Sequence, residues 1–317
     1  MKLDPVLAAL YEHAPREIAT PVDWTQLRAL AASLLPSVVG EAPRTEVASV
    51  EDKQIDAPTG PVSLRIYRPT KPTTLTVHYV HGGGWTIGDL DTVDHTLRHL
   101  CEALPAVAVS NTYRLAPEHP FPAAVEDTIA AAEWVVHNAK ELGGDPGQVA
   151  IAGDSAGGNL AAVAAIALRD RAREQKSGRH PLRAQLLLYP SLDLREESWD
   201  LPSRVADADP SLSTAAMRLT RAAYVADHDA DDWRLSPLAH NDLSELPRAL
   251  VVVLTVDPLR DEAVAYAEKL RQAGVKAELM EFENLTHGYT HLRRIVPAAA
   301  VATDAVLLRF NKMMNAE

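Results

Sequence analysis

The chain has 317 residues, 47% of them hydrophobic and 23% charged, with a formal net charge of −12. That apolar content excludes a disordered chain, and the length is enough to bury a core without disulfide or metal staples. The acidic balance argues against nucleic acid and anionic membrane surfaces as partners, since both repel a negative protein. Cys101 is the only cysteine, so no internal disulfide can form, which suits a reducing cytoplasm. Asp4 and Pro5 stand where a signal peptide would place its apolar core, and no apolar run approaches the ~18 residues of a membrane span. A cytoplasmic protein without a membrane partner is expected.

Along the chain, apolar residues recur at helical spacing in Val6–Tyr11 and Trp24–Leu35, with Pro15, Pro21 and Pro36 expected to break this region into short pieces. Arg44–Asp56 and Val62–Arg68 alternate in polarity around Pro58-Thr59-Gly60-Pro61, the pattern of a β-hairpin or meander. From Leu75 the rhythm becomes strand, loop, helix. Strands are expected at Leu75–Val80, Val107–Asn111, Val149–Ala152, Ala184–Tyr189, Ala249–Thr255 and Ala277–Phe282. Helical patterns fall at Thr92–Ala103, Ala123–Ala139, Gly158–Arg169, Arg260–Ala273 and Ala298–Met314. Alternating β and α units predict an α/β fold with a mostly parallel sheet covered on both faces.

The interval from Tyr189 to Ala249 breaks that rhythm, with no clear strand and one helical stretch at Thr214–Ala226. So long a connection needs structure and a purpose of its own. It reads as an inserted lid that the N-terminal helices are free to join. The expected division is cap helices at 1–45, a catalytic domain at 46–194 and 247–317, and a cap insertion at 195–246.

The strongest chemical signal is Gly153-Asp154-Ser155-Ala156-Gly157, between a strand and a helix. G-x-S-x-G in that context is a nucleophile elbow, which lifts the serine hydroxyl clear of the sheet beside a helix N-terminus. The second signal is His81-Gly82-Gly83-Gly84-Trp85, after the strand ending at Val80. Consecutive glycines can turn several N–H groups into one cavity, the arrangement that stabilises a tetrahedral oxyanion together with the N–H of Ala156. Neither phosphate-binding glycine pattern is present. His81 reads as a brace for this loop rather than as a base.

A base and an acid should follow the serine on later strands. Of twelve histidines, His287 lies just past the last expected strand and is followed by Gly288. Asp257 follows the strand ending at Thr255 and suits the acid, although it could equally be a helix N-cap; Asp261 is its rival. His95 and His99 stand i, i+4 on a helix and read as a surface pair, because H-E-x-x-H and a third ligand are both missing. Cys101 reads as a buried helix residue, and Trp24, Trp85 and Phe121 as core or pocket lining.

Taken in order, His81–Trp85, Tyr113-Arg114-Leu115-Ala116-Pro117-Glu118, Gly153–Leu160, Tyr189-Pro190, Asp257-Pro258-Leu259-Arg260-Asp261 and His287-Gly288 resemble the hormone-sensitive-lipase family of α/β-hydrolases, in its bacterial carboxylesterase branch. The likeness runs from Val77 to Gly288. It implies an α/β-hydrolase fold with a helical cap and a triad of Ser155, Asp257 and His287. It also implies an oxyanion hole drawn from Gly82, Gly83, Gly84 and Ala156, with Gly82 either shaping or joining it, and no metal or cofactor. Ala263 and Tyr289 replace residues common in the family, glycine and phenylalanine. The implied partner is a small-molecule ester, and the state could be monomer or homodimer. An amidase or deacetylase would use the same residues, whereas a non-catalytic receptor would lack His287. Charged residues at Arg195, Glu196, Glu197, Asp200, Arg204, Asp207 and Asp209 give the expected lid a polar character, which favours soluble esters over long-chain lipids.

Overall fold

Runs of Val, Leu, Ile and Ala too short for helices pair into one eight-stranded sheet in a computed structural model that describes residues 3–13, 20–40, 43–178 and 180–316. The strands are β1 (Ser49–Ala57), β2 (Gly60–Arg68), β3 (Leu75–Val80), β4 (Ala106–Asn111), β5 (Val149–Asp154), β6 (Ala184–Leu188), β7 (Arg248–Leu254) and β8 (Ala277–Phe282). Their order is β1-β2-β4-β3-β5-β6-β7-β8. β1 and β2 form an antiparallel hairpin and β2 joins β4 antiparallel, while every pairing from β4 to β8 is parallel. The inner strands β3 to β7 are apolar at nearly every position because both faces are covered.

Successive residues of β7 show the alternation. Ala249, Val251 and Val253 face one core layer, with α4 (Ala123–Asn138), α5 (Ala156–Glu174) and α8 (Arg260–Gln272). Leu250, Val252 and Leu254 face the other, with α3 (Asp94–Ala103), α9 (Pro297–Asn315) and Leu7 of α1 (Pro5–Tyr11). Parallel strands with helices on both sides leave the carboxyl ends of β3, β5 and β7 at one edge, where an α/β sheet offers its crevice.

Two expectations at the N-terminal end need correction. The first hairpin strand begins at Ser49 rather than Arg44, and α2 runs Trp24–Val39, straight through Pro36. Pro36 lies in the last turn of α2, where a missing N–H removes one hydrogen bond and does not break a long helix in two. Pro15 lies outside the described residues.

Between β6 and β7 the chain forms no strand. It carries a short helix α6 (Pro202–Ala206), the longer α7 (Thr214–Val225) and two single-turn 3₁₀ segments, Glu196–Asp200 and Pro237–Ala239. What secures α6 is a fully buried ion pair, Arg204 with Glu262 of α8. The same guanidinium donates to the Asp193 carbonyl at 2.7 Å and lies 4.6 Å from the Trp199 ring centre. Glu262 also accepts the Leu192 amide at 2.7 Å. Arg204 and the wholly buried Asp209 therefore do not belong to the charged surface expected of the lid. Glu196, Glu197 and Asp200 are exposed and do.

Breaking a buried pair strands a charge, so Arg204→Ala should destabilise the protein by about 3–5 kcal/mol. Asp52→Ala breaks the Arg65–Asp52 pair, whose aspartate is 61% exposed, and should cost less than about 1 kcal/mol. Thermal melts of both variants check this, and equal shifts would contradict it.

Candidate active site

The turn from β5 into α5 holds Ser155 at φ 54° and ψ −121°, a region that L-residues adopt only under constraint. Gly157 shows why small residues flank it. A Cβ there would lie 2.1 Å from the Val80 carbonyl oxygen and 2.4 Å from that of His81. The elbow is thus pressed against the end of β3. Ser155 itself opens α5, whose N–H dipoles point toward the hydroxyl side of the turn.

The three residues anticipated as a triad meet at this edge. His287 Nε2 is 2.8 Å from Ser155 Oγ, and His287 Nδ1 is 2.7 Å from Asp257 Oδ2. With the Nδ1 proton donated to the carboxylate, Nε2 is left to accept from the serine hydroxyl. Asp257 is buried, and its second oxygen accepts the Leu259 amide at 2.8 Å. The alternative reading of Asp257 as the helix N-cap is corrected, because Leu259 holds the N-cap position of α8 and the Asp257 bond to its amide closes the turn that precedes the helix. Asp261 is placed elsewhere: it accepts from the Ser203 amide at 2.9 Å and pairs with Arg260 at 3.0 Å. Of these two partners Ser203 lies in the segment between β6 and β7, and neither is His287.

Burial opposes a charged His287 ring. The charge and hydrogen bond of Asp257, followed by the charges of Asp209 and Asp154, more than offset this and raise its pKa above the ordinary histidine value. The His287 ring also meets the Tyr189 ring edge-on at 4.8 Å between centroids.

The glycine loop after β3 lies against the elbow. Gly83 has φ +113°, and a Cβ there would sit 2.2 Å from the Ile87 carbonyl oxygen. No other residue type fits that turn. The Gly82 amide donates to Asp154 Oδ1 at 3.1 Å, so Gly82 is committed to shaping the loop. Among the described residues, the amides of Gly83, Gly84 and Ala156 carry no such bond. His81 is a brace, as anticipated: its ring is buried, stacks on Tyr113 at 4.2 Å and places Nδ1 2.8 Å from the Gly82 carbonyl oxygen. Burial pulls its pKa down, which keeps it neutral.

Several supporting residues escaped sequence reasoning. Asp154, the first of the two variable positions of the glycine–serine motif, also accepts the Tyr79 hydroxyl at 2.8 Å and faces His291 Nε2 at 3.2 Å. Burial works against its charge, yet His291 and Tyr79 hold its carboxyl below the usual range. Arg28 of α2 donates to the Thr86 and Ala116 carbonyls at 2.7 and 2.8 Å, tying an N-terminal helix to the glycine loop. From the other side, Tyr224 of α7 stacks on Trp85 with ring centres 4.4 Å apart. Trp85 and Phe121 are buried. None of these partners is visible as a motif, because each contact joins distant parts of the chain.

The expected surface pair on α3 is corrected in part. His95 is buried, with its ring centre 5.8 Å from that of His291, and burial drives its pKa down to about 3. His99 pairs with Asp304 at 2.7 Å. Cys101 is buried as expected, and its thiol is pushed up to about 12, so it is no rival nucleophile.

Residues 77–291 match the family described as alpha/beta hydrolase fold. The chain is 42% identical to the esterase LipI of Mycobacterium tuberculosis, over 84% of this chain and 82% of that one. It is 39% identical to the carboxylesterase NlhH of the same organism, over 99% of this chain and 97% of the relative. Among solved structures, an esterase from Pyrobaculum calidifontis superposes with a TM-score of 0.89 at 36% identity, covering 99% of this chain and 100% of that one. In the described residues no helix is long and apolar enough to cross a membrane. By motif order, topology and sequence likeness, the chain belongs to the α/β-hydrolase family, in its hormone-sensitive-lipase-like branch.

Proposed function

We propose that this protein is a serine carboxylesterase that hydrolyses short- to medium-chain carboxylic esters through an acyl-enzyme, using no metal or cofactor. The single observation that carries the reading is the continuous relay from Ser155 Oγ through the His287 imidazole to Asp257, with separations of 2.8 and 2.7 Å. The reading includes a cytoplasmic location, which a single cysteine suits, and a division in which residues 1–45 and 195–246 cap a hydrolase body of 46–194 and 247–317.

In this mechanism Ser155 Oγ attacks the ester carbonyl as its proton passes to His287 Nε2. Asp257 holds the ring in the required tautomer and stabilises the imidazolium. The amides of Gly83, Gly84 and Ala156 receive the oxyanion, while Gly82 fixes the loop by its bond to Asp154. The alcohol leaves with the proton from His287. Water then enters, gives its proton to the same nitrogen, and cleaves the acyl-enzyme.

The preference for shorter chains is supported by the exposed Glu196, Glu197 and Asp200 on the insertion, which make a poor surface for an oil–water interface. Across p-nitrophenyl acetate, butyrate, hexanoate, octanoate and palmitate, kcat/KM should peak below palmitate. A maximum at palmitate with activation at an interface would contradict the reading.

The two aspartates of the Asp257–Asp261 segment can be separated directly. Asp257→Asn should lower kcat by about a hundredfold or more, since it mis-sets the histidine tautomer while the fold is retained. Asp261→Asn removes only half-buried contacts with Arg260 and Ser203 and should stay within about tenfold of the parent enzyme. The reverse order of losses would reassign the acid.

A further inference from the structure

The buried polar groups around His287 include one carboxylate that the relay does not use. Asp209 lies in the insertion, ahead of α7, and is wholly buried. Its Oδ2 accepts the backbone N–H of His287 at 2.7 Å. Its Oδ1 accepts the Ser211 amide at 2.8 Å and the Ser211 hydroxyl at 2.6 Å. The Ser211 hydroxyl oxygen is also 3.1 Å from the His287 carbonyl oxygen. Both backbone polar groups of the base thus face one short segment of the cap.

Two backbone amides, of His287 and Ser211, donate to Asp209, which suits an ionised carboxylate, and the single Ser211 hydroxyl proton serves either Asp209 or the His287 carbonyl. The other ionisable groups facing it are Asp257 beyond β7, the His287 ring itself beyond β8, and Tyr11 of α1. Burial, and after it the Asp257 charge, raise the Asp209 carboxyl above the usual carboxylate range, and the Ser211 and His287 donors and the His287 charge offset this only in part. Asp209 meets the His287 backbone and Asp257 its ring, and the charge of each carboxylate favours the positive form of that ring.

The same segment runs directly into the cap helix. The Thr214 amide donates to Asp207 at 2.8 Å, Ser213 caps α7, and α7 carries Tyr224 onto Trp85 beside the glycine loop. One stretch of the insertion therefore touches the histidine loop at one end and the oxyanion loop at the other.

We propose that Asp209 is a positioning residue for the reaction: a second carboxylate that fixes the His287 backbone, favours its imidazolium, and makes assembly of the relay depend on a seated cap. The inference rests on the esterase reading. It differs from a purely structural role in one respect, because the negative charge at Asp209 acts on the titration of His287. His287 must be neutral to accept the serine proton, so kcat/KM is lost as pH falls through its pKa. In the parent enzyme that acid limb should lie above the ordinary histidine value of about 6.5, and removing a nearby negative charge should move it to lower pH.

The test measures pH profiles of kcat and kcat/KM on p-nitrophenyl butyrate for the parent enzyme and for Asp209→Asn, Asp209→Glu and Ser211→Ala, with circular dichroism and thermal melts alongside. Asp209→Asn should lose about tenfold or more in kcat at its optimum with KM changed little, as expected when a transition-state interaction is removed. Its acid limb should fall by about half a pH unit or more. Asp209→Glu should restore the limb toward the parent position. A folded Asp209→Asn with parent kcat and an unmoved limb would overturn the proposal. So would a loss that merely tracks the folded fraction with the limb in place. If Asp209→Asn does not fold, Ser211→Ala decides. Without its hydroxyl donor the carboxylate is less compensated, so the limb should rise and kcat should fall; parent values for both would overturn the proposal. An inactive parent enzyme would instead defeat the esterase reading itself.

Discussion

Three carboxylates, Asp154, Asp209 and Asp257, lie almost entirely out of solvent around the catalytic edge of the sheet, with exposures of 2%, 0% and 1%. An unpaired buried charge would shift its pKa and neutralise, or would cost several kcal/mol. The surrounding structure meets that constraint by supplying donors. Asp257 takes the His287 ring and the Leu259 amide, and Asp154 takes Tyr79, Gly82 and His291. Asp209 takes the His287 amide and two groups of Ser211. The glycine loop, the histidine loop and the insertion are each held in place by satisfying one of these groups. Polar satisfaction is therefore what aligns the elements, and the hydrophobic layers on either face hold the alignment rigid.

The elements that sequence reasoning placed well are those governed by local rules. β3 and β8 match their expected bounds, Leu75–Val80 and Ala277–Phe282, because short apolar runs between turns and helices leave little freedom of assignment. That Ser155, His287 and Asp257 would meet, and that a glycine loop would follow β3, was legible for a related reason: the sharp turn after β5 and the loop after β3 impose small residues at fixed positions, as the contacts of Gly157 and Gly83 make plain. For Asp257 the structure was needed to choose between its two readings, since Leu259 and not Asp257 holds the N-cap position of α8.

What could not be read is non-local. Nothing in the residues around Arg204 or Asp209 distinguishes them from the exposed Glu196 and Asp200 of the same insertion. Only tertiary packing puts Arg204 against Glu262 and Asp209 under His287. His95 was misplaced for a similar cause: helical spacing tells which residues share a face, but not that His291 lies across from this one. The continuation of α2 past Pro36 shows the opposite error, a strong local rule whose cost near a helix end is small.

The central claim is that Ser155 is a nucleophile activated by His287. Its most direct test is reaction of the native protein with a fluorophosphonate, followed by mass spectrometry of the modified peptide, with His287→Ala run in parallel. The account predicts one covalent adduct, on Ser155, formed concurrently with loss of esterase activity and formed far more slowly in the variant. Full inactivation with the adduct on another residue, or an unlabelled Ser155 in a protein that still hydrolyses esters, would contradict it.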